Sequence, residues 1–167
     1  MKILFIQTGG TIDKDYPKTD KGFAFEITEP AVHRILSRTQ PAFTFDVVSL
    51  FKKDSQEITN ADRAQLKVYL STRPEQKVVI THGTDTLIQT AKFLGTIPGK
   101  TIVFTGAFKP ERFKDSDADV NLGLALGAIN VLEEGTFIAM NGLVMIPENC
   151  EKDPVSGQFI TLKDNLE

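Results

Sequence analysis

Nine consecutive residues, Val78-Val-Ile-Thr-His-Gly-Thr-Asp-Thr86, limit the folds open to this chain more than any others. A run of apolar and β-branched residues passes directly into a small polar turn, and Leu87, Ile88, Ala91 and Leu94 follow at helical spacing. An unbroken apolar run is how a strand buried on both faces reads, and such strands belong to parallel sheets covered by helices. In open sheets of that kind, ligands sit at the carboxyl ends of the strands. Thr84, Asp85 and Thr86 stand at such an end, where free N–H groups and the positive end of a helix suit an anion or a developing oxyanion. The plainer reading of the same residues is an Asp/Thr helix cap.

The same handover recurs along the chain. Lys2-Ile-Leu-Phe-Ile6 predicts a first strand feeding Gln7-Thr-Gly-Gly-Thr-Ile12, where two glycines permit close backbone approach and two threonines present hydroxyls. A tight turn that merely needs glycine is the alternative there. Asp13 to Glu26, with Pro17, Gly22 and the aromatics Tyr16, Phe23 and Phe25, reads as a mobile loop, either a lid over that strand end or plain surface. Thr28-Glu-Pro30 predicts a Thr-capped helix with Ala31, Val32, Ile35 and Leu36 as its buried stripe and His33 on the surface. Phe43–Leu50 predicts the second strand, with Ser55 and Gln56 in the turn beyond it. Thr59-Asn-Ala-Asp62 has the form of a capping box, opening a helix that carries Ala61, Ala64, Leu66, Val68 and Leu70 and stops at Pro74. Thr101–Phe104 is the fourth predicted strand. Val120–Leu132 is a helix whose small residues, Gly123, Ala125, Gly127 and Ala128, suggest close packing against a neighbour. Asn141-Gly142 between Phe137–Met140 and Leu143–Ile146 is a strong hairpin signal, and Phe159–Leu162 suggests a last short strand. Strand and helix alternate throughout. The expected fold is therefore a Rossmann-like, doubly wound α/β sandwich of three layers, a single domain over residues 1–167. Its sheet is mainly parallel, with an antiparallel hairpin at one edge and right-handed connections.

Composition narrows the function. A chain of 167 residues with 41% hydrophobic and 25% charged content suits one soluble domain. A net charge of −3 gives no reason to propose nucleic acid or an anionic membrane as partner, and no apolar run approaches a membrane span. The single cysteine, Cys150, fits a reducing compartment, and the short apolar N-terminus leads straight into structure, so a cytoplasmic location is expected. A nucleotide-binding reading rests on fold alone, because G-x-G-x-x-G is absent. The two histidines have no ligand spacing, and neither a metal nor a cofactor is expected; His82 reads as a buried residue shaping its turn.

Thr8-Gly-Gly-Thr-Ile12 at one strand end and His82-Gly-Thr-Asp-Thr86 at another closely resemble, in this order, the two signatures of bacterial-type L-asparaginases. Asp54-Ser-Gln56 resembles that family's substrate-carboxylate loop. Gly106-Ala-Phe-Lys-Pro110, then Asp117 and Asn121-Leu122, resembles the approach to its next helix. Past Met140-Asn141, an ungapped continuation brings Lys152 to the position of the family's active-site lysine. The resemblance spans nearly the whole chain but only the family's N-terminal domain. It implies an amidohydrolase that releases ammonia from asparagine or a related small amide, acting as a homodimer or higher homo-oligomer. Thr11 is implied as the nucleophile and Thr84 as the second catalytic hydroxyl, with Lys152 as its base and Asp85 alongside. Ser55, Gln56, Gly83, Thr84 and Asp85 are implied to hold the substrate, and the Ala107 carbonyl to line the amide pocket. The chemistry is coherent, since a threonine hydroxyl needs an adjacent base and backbone N–H groups at glycine turns can stabilise an oxyanion.

Two departures qualify this. The family carries a lid tyrosine late in the loop, where this chain has Phe23 and Phe25; its only lid tyrosine, Tyr16, comes early and is the candidate replacement. Family members are also about twice this length, and their C-terminal domain completes a neighbouring subunit's site. A binding module that keeps the amino-acid pocket without turnover is therefore the alternative function.

Overall fold

A computed structural model describes residues 1–162. Six strands form the central sheet: β1 (Lys2–Gly9), β2 (Thr44–Lys53), β3 (Lys77–Thr81), β4 (Thr101–Thr105), β5 (Gly135–Met140) and β6 (Leu143–Met145). Their order across the sheet is β6-β5-β4-β3-β1-β2, parallel except for β5–β6. The expected hairpin is present at that edge. Asn141 and Gly142 take positive φ values of 52° and 82°, the geometry of a two-residue turn whose twist matches the strands.

Four helices cover the sheet: α1 (Ala31–Thr39), α2 (Asn60–Thr72), α3 (Leu87–Leu94) and α4 (Ala118–Val131). Alternate residues of each strand enter different cores, as a period of two requires. Leu4, Ile6, Val78, Ile80, Ile102 and Phe104 pack under Leu66 and Leu70 of α2 and Leu87, Ala91 and Leu94 of α3. Ile3, Phe5, Val79 and Val103 pack under Val32, Ile35 and Leu36 of α1 and Leu122, Ala125 and Ile129 of α4. Both faces are dry, which is why the strands read as unbroken apolar runs.

The sides taken by the helices correct one expectation. Crossing α1 takes the chain from β1 out to β2 on one face. Crossing α2 and α3 brings it back past β1 and on to β4 on the other face, so these three connections share a hand. α4 steps onward in the α3 direction yet packs on the α1 face, giving β4-α4-β5 the opposite hand. With the first three right-handed as strand twist favours, the fourth is left-handed. The cause is the exit from β4. Residues 106–117 cross the carboxyl edge of the sheet and fasten to the α1 side, where the Glu111 carboxylate accepts from Arg34 Nε and Arg38 Nη1. The Glu111 N–H also donates to the Ile12 carbonyl at 3.1 Å. A loop of this reach escapes the tight-turn constraint, and it passes beside the Thr11 turn.

Local corrections follow from hydrogen bonding. Thr28 does not cap α1, which starts at Ala31 with Pro30 in the cap position. Its hydroxyl instead donates to the Asp13 carbonyl. The capping box of α2 is present, with reciprocal bonds between Thr59 and Asp62. On that helix Ala61, Ala64 and Val68 face solvent, while Asp62 and Arg63 are buried beside Leu66 and Leu70. On α4, Ala125 and Ala128 meet the sheet, whereas Gly123 and Gly127 face outward. The segment 13–27 is not an irregular loop but two short antiparallel ribbons, Lys14–Asp15 with Glu26–Ile27 and Lys18–Thr19 with Gly22–Phe23.

Candidate active site

The switch in strand order lies between β1 and β3, whose chain connections leave in opposite directions and open a crevice at their carboxyl ends. Three strand ends converge there, because glycines let their backbones touch. Gly10 has φ +91°, and a methyl group on it would sit 2.3 Å from Gly83 Cα. A methyl on Gly83 would in turn sit 2.6 Å from Ser55 Cβ. The turn after β1, the turn after β3 and the 3₁₀ turn Ser55–Glu57 after β2 are thus in van der Waals contact. Thr11 opens its own 3₁₀ turn, Thr11–Asp13, immediately after Gly10. Among the described residues no hydrogen bond occupies the Thr11 hydroxyl.

The β3 turn decides between cap and site. Thr86 holds the N-cap position of α3, yet its hydroxyl donates to the Ser55 carbonyl at 2.6 Å and makes no cap bond. Asp85 also leaves the helix end uncapped. One carboxylate oxygen accepts from Lys152 Nζ at 2.8 Å, and the other from Gln56 Nε2 at 2.9 Å. The Lys152 and Gln56 bonds hold the Asp85 carboxyl below its ordinary range. Lys152 Nζ also donates to Thr84 Oγ1 at 3.4 Å, across 68 positions of sequence. Gln56, Thr84, Asp85 and Lys152 are thus joined by hydrogen bonds at one end of the sheet.

Lys152 reaches Thr84 from a ribbon of its own, β7 (Cys150–Lys152) with β8 (Phe159–Thr161). Phe159 is fully buried, and its N–H donates to Asn141 Oδ1 at 2.9 Å. The Asn141 N–H donates to Asn121 Oδ1, and Asn121 Nδ2 donates to the Gly106 carbonyl. This relay ties the lysine ribbon to the β4 exit loop. Phe108 of that loop packs on Phe159, and Lys152 Nζ lies 5.6 Å over its ring. Asp117 accepts the N–H groups of Phe108 and Lys109 and so shapes the stretch beginning at Ala107, itself buried.

The ribbons after Thr11 join the site at their root. Lys14 pairs with Asp54 at 3.1 Å, and Asp15 with Arg112 at 2.8 Å. Asp54 also caps the Ser55–Glu57 turn, accepting from Gln56 N, and that bond first and Lys14 second lower its carboxyl. Asp54-Ser-Gln-Glu57 is a capping box whose signal, an Asp followed three positions later by Glu, lies in the sequence itself. Tyr16 is not brought to the threonines by any polar contact among the described residues. The residue is 53% exposed, and its ring stacks on Phe25 with centroids 4.6 Å apart.

His82 is buried behind the turn. Nδ1 donates to the Gly83 carbonyl at 2.8 Å while Nε2 has no partner among the described residues, and burial depresses the imidazole to about 4. It is therefore neutral at physiological pH. Among the described residues, no cluster of three or more His, Cys, Asp or Glu is placed to hold a metal, and no helix is long and apolar enough to cross a membrane. A depression of about 410 Å³ lies at the opposite end of the sheet, lined by Met1, Lys2 and residues 74–77, far from this chemistry.

Comparison with known proteins points one way. Residues 2–157 match the family model described as "Asparaginase, N-terminal". The chain is 28% identical over 158 residues to an L-asparaginase of Thermococcus kodakarensis, covering 91% of this chain and 48% of that one. It is 34% identical over 124 residues to the probable L-asparaginase 4 of Schizosaccharomyces pombe, covering 71% and 33% respectively. The structure of the thermostable L-asparaginase from Thermococcus kodakarensis matches with a TM-score of 0.79 at 27% identity, over 96% of this chain and 51% of that one. The chain spans about half the length, or less, of these relatives.

Proposed function

This chain belongs to the asparaginase N-terminal family, and from that premise we propose that it is an asparaginase-type amidohydrolase, cleaving the side-chain amide of asparagine or a related small amide. One observation carries the reading: Lys152 Nζ stands 3.4 Å from Thr84 Oγ1 and 2.8 Å from Asp85, beside the turn that presents Thr11.

The Thr11 hydroxyl attacks the amide carbon, forming a C–O bond as its proton passes to the amide nitrogen, and N–H groups of the glycine turns receive the charge that develops on the carbonyl oxygen. Collapse breaks the C–N bond, and the nitrogen leaves as ammonia with the proton that Thr11 gave up. Water then cleaves the acyl-threonine ester, assisted by Thr84, and restores the Thr11 hydroxyl. Lys152 acts as base only after losing a proton. The ammonium of an amino-acid substrate pairs with Asp85. Ser55 and Gln56 hold the substrate carboxylate, and Ala107 lines the amide side.

Ammonia release from a panel of amides, asparagine and glutamine included, tests this with wild type, Thr11→Ala and Thr84→Ala in parallel. Turnover should vanish in both variants while the circular dichroism spectrum stays unchanged. Full activity in both would sink the reading.

A second reading is a binding module of the same fold, favoured by the exposed, stacked position of Tyr16. Asparagine or aspartate would then raise the melting temperature without ammonia release. Association into homo-oligomers is proposed from the family and from the outward Gly123 and Gly127 of α4; a mass by light scattering equal to one chain would count against it.

A further inference from the structure

The turn that carries Thr11 is fastened from beneath by an acid two residues further on. Asp13 is completely buried. Its Oδ1 accepts the N–H of Ala31, the first residue of α1, at 2.8 Å. Its carbonyl accepts from Thr28 N at 2.9 Å and from Thr28 Oγ1 at 3.2 Å, and its N–H donates to the Gly10 carbonyl at 3.2 Å. Pro30, in the cap position, offers α1 no side-chain cap. Asp13 therefore supplies across sequence what a capping Ser or Thr would supply locally. Through it, one side chain joins the turn after β1 to a helix that the catalytic reading does not otherwise use.

We propose that Asp13 is the positioning residue of the Thr11 turn and that it works as a neutral carboxylic acid. The proposal rests on the reading of Thr11 as nucleophile. Burial favours the neutral form of the Asp13 carboxyl. From β1 and β3 the uncharged polar groups of Gln7 and Thr81 face it and pull towards the ionised form, with less effect than burial. From α1 the charged group is Arg34, whose Nε is given to Glu111 of the β4 exit loop. Among the described residues Asp13 Oδ2 has no hydrogen-bond partner, so an ionised carboxylate would leave charge on a buried oxygen. Burial accordingly pushes the carboxyl up to about 7. Asp13 thus remains largely protonated through the acid range and ionises near neutrality.

The experiment compares wild type, Asp13→Asn and Asp13→Ala, reading kcat and KM against pH together with hydrogen–deuterium exchange of residues 11–13 and 31–34. Asparagine keeps the oxygen that receives the Ala31 N–H and cannot ionise. Asp13→Ala should lower kcat at least about tenfold with KM nearly unchanged, because a displaced nucleophile costs turnover rather than binding, and both segments should exchange faster. Asp13→Asn should hold kcat within about threefold, exchange as slowly as wild type and lack the inflection near pH 7. Wild-type exchange and kcat in Asp13→Ala would overturn the proposal. So would Asp13→Asn behaving like Asp13→Ala, which would mean that the charge is needed. If the wild type hydrolyses no amide, the Thr11 reading fails by itself, and exchange still decides whether Asp13 holds the turn. If Asp13→Ala does not fold, the pH profile and exchange of Asp13→Asn decide.

Discussion

Lys152 is the residue on which the proposed chemistry turns, and its contacts separate a catalytic role from a structural one. The Lys152–Asp85 pair is partly open to solvent, with side chains 29% and 46% exposed, so its loss should change stability by less than about 1 kcal/mol. A general base lost from the reaction costs about a hundredfold or more in turnover. Lys152→Gln should therefore drop kcat by that factor while urea denaturation shows a midpoint near wild type. Retention of kcat within twofold would remove Lys152 from the mechanism. Among site residues, those on strand-end turns were legible, because an apolar run followed by Gly and Thr marks its own position at the sheet edge. Lys152 was reachable only through resemblance, since nothing local in Cys150–Lys152 signals where its ribbon docks; Asn141 and Phe159 settle that from a distance. Asp13 gave no signal at all. An aspartate after a glycine turn reads as surface until the chain between it and Ala31 is seen to fold back.

The elements converge at the site only because glycine backbones touch, which sets up a comparison between two substitutions. Gly10 and Gly99 both have positive φ, 91° and 75°. An added Cβ at Gly99 meets nothing within 4 Å, whereas at Gly10 it strikes the backbone of Gly83 at 2.3 Å. Gly99→Ala should cost only the backbone penalty, about 1–2 kcal/mol. Gly10→Ala must also push two strand-end turns apart, so its cost should exceed that of Gly99→Ala by at least about 1 kcal/mol, with loss of turnover. Equal denaturation midpoints for the two variants would show that the turns are not packed as described. The strands and helices were legible because burial on both faces of the sheet removes polar alternation and leaves clean apolar runs. The hand of β4-α4-β5 was not. It depends on where the 106–117 loop is anchored, and the Glu111 contacts with Arg34 and Arg38 join residues 73 to 77 positions apart. The lid ribbons escaped for the opposite reason: two-residue strands carry too few positions to show a period.

For the whole molecule, two buried groups near the site bind protons in opposite senses, and the sum is more informative than either. Asp13 has its carboxyl raised from 3.8 to about 7, so between those values the folded chain holds a proton that the unfolded chain has lost. Stability from this group is full below about pH 4 and falls as pH rises towards 7. His82 is lowered from 6.5 to about 4, so in that interval the unfolded chain holds the extra proton. Its contribution is full above about pH 6.5 and is lost as pH falls towards 4. Each slope approaches about 1.4 kcal/mol per pH unit, and between about pH 4 and 6.5 they oppose. Depressed carboxylates such as Asp62, held at about 2 by Lys53 and the Thr59 N–H, change stability below that window. As far as these two groups decide it, the wild type should be nearly flat from about pH 4.5 to 6.5, with a shallow fall towards 7. Asp13→Asn leaves His82 unopposed, so stability should rise with pH across the window. His82→Gln leaves Asp13 unopposed, and stability should fall. The double variant should be flat again at a different level. Urea unfolding at three pH values within the window reads all four slopes. Parallel profiles for the four proteins would mean that neither group keeps the protonation its burial imposes, and the neutral tie beneath Thr11 would lose its support.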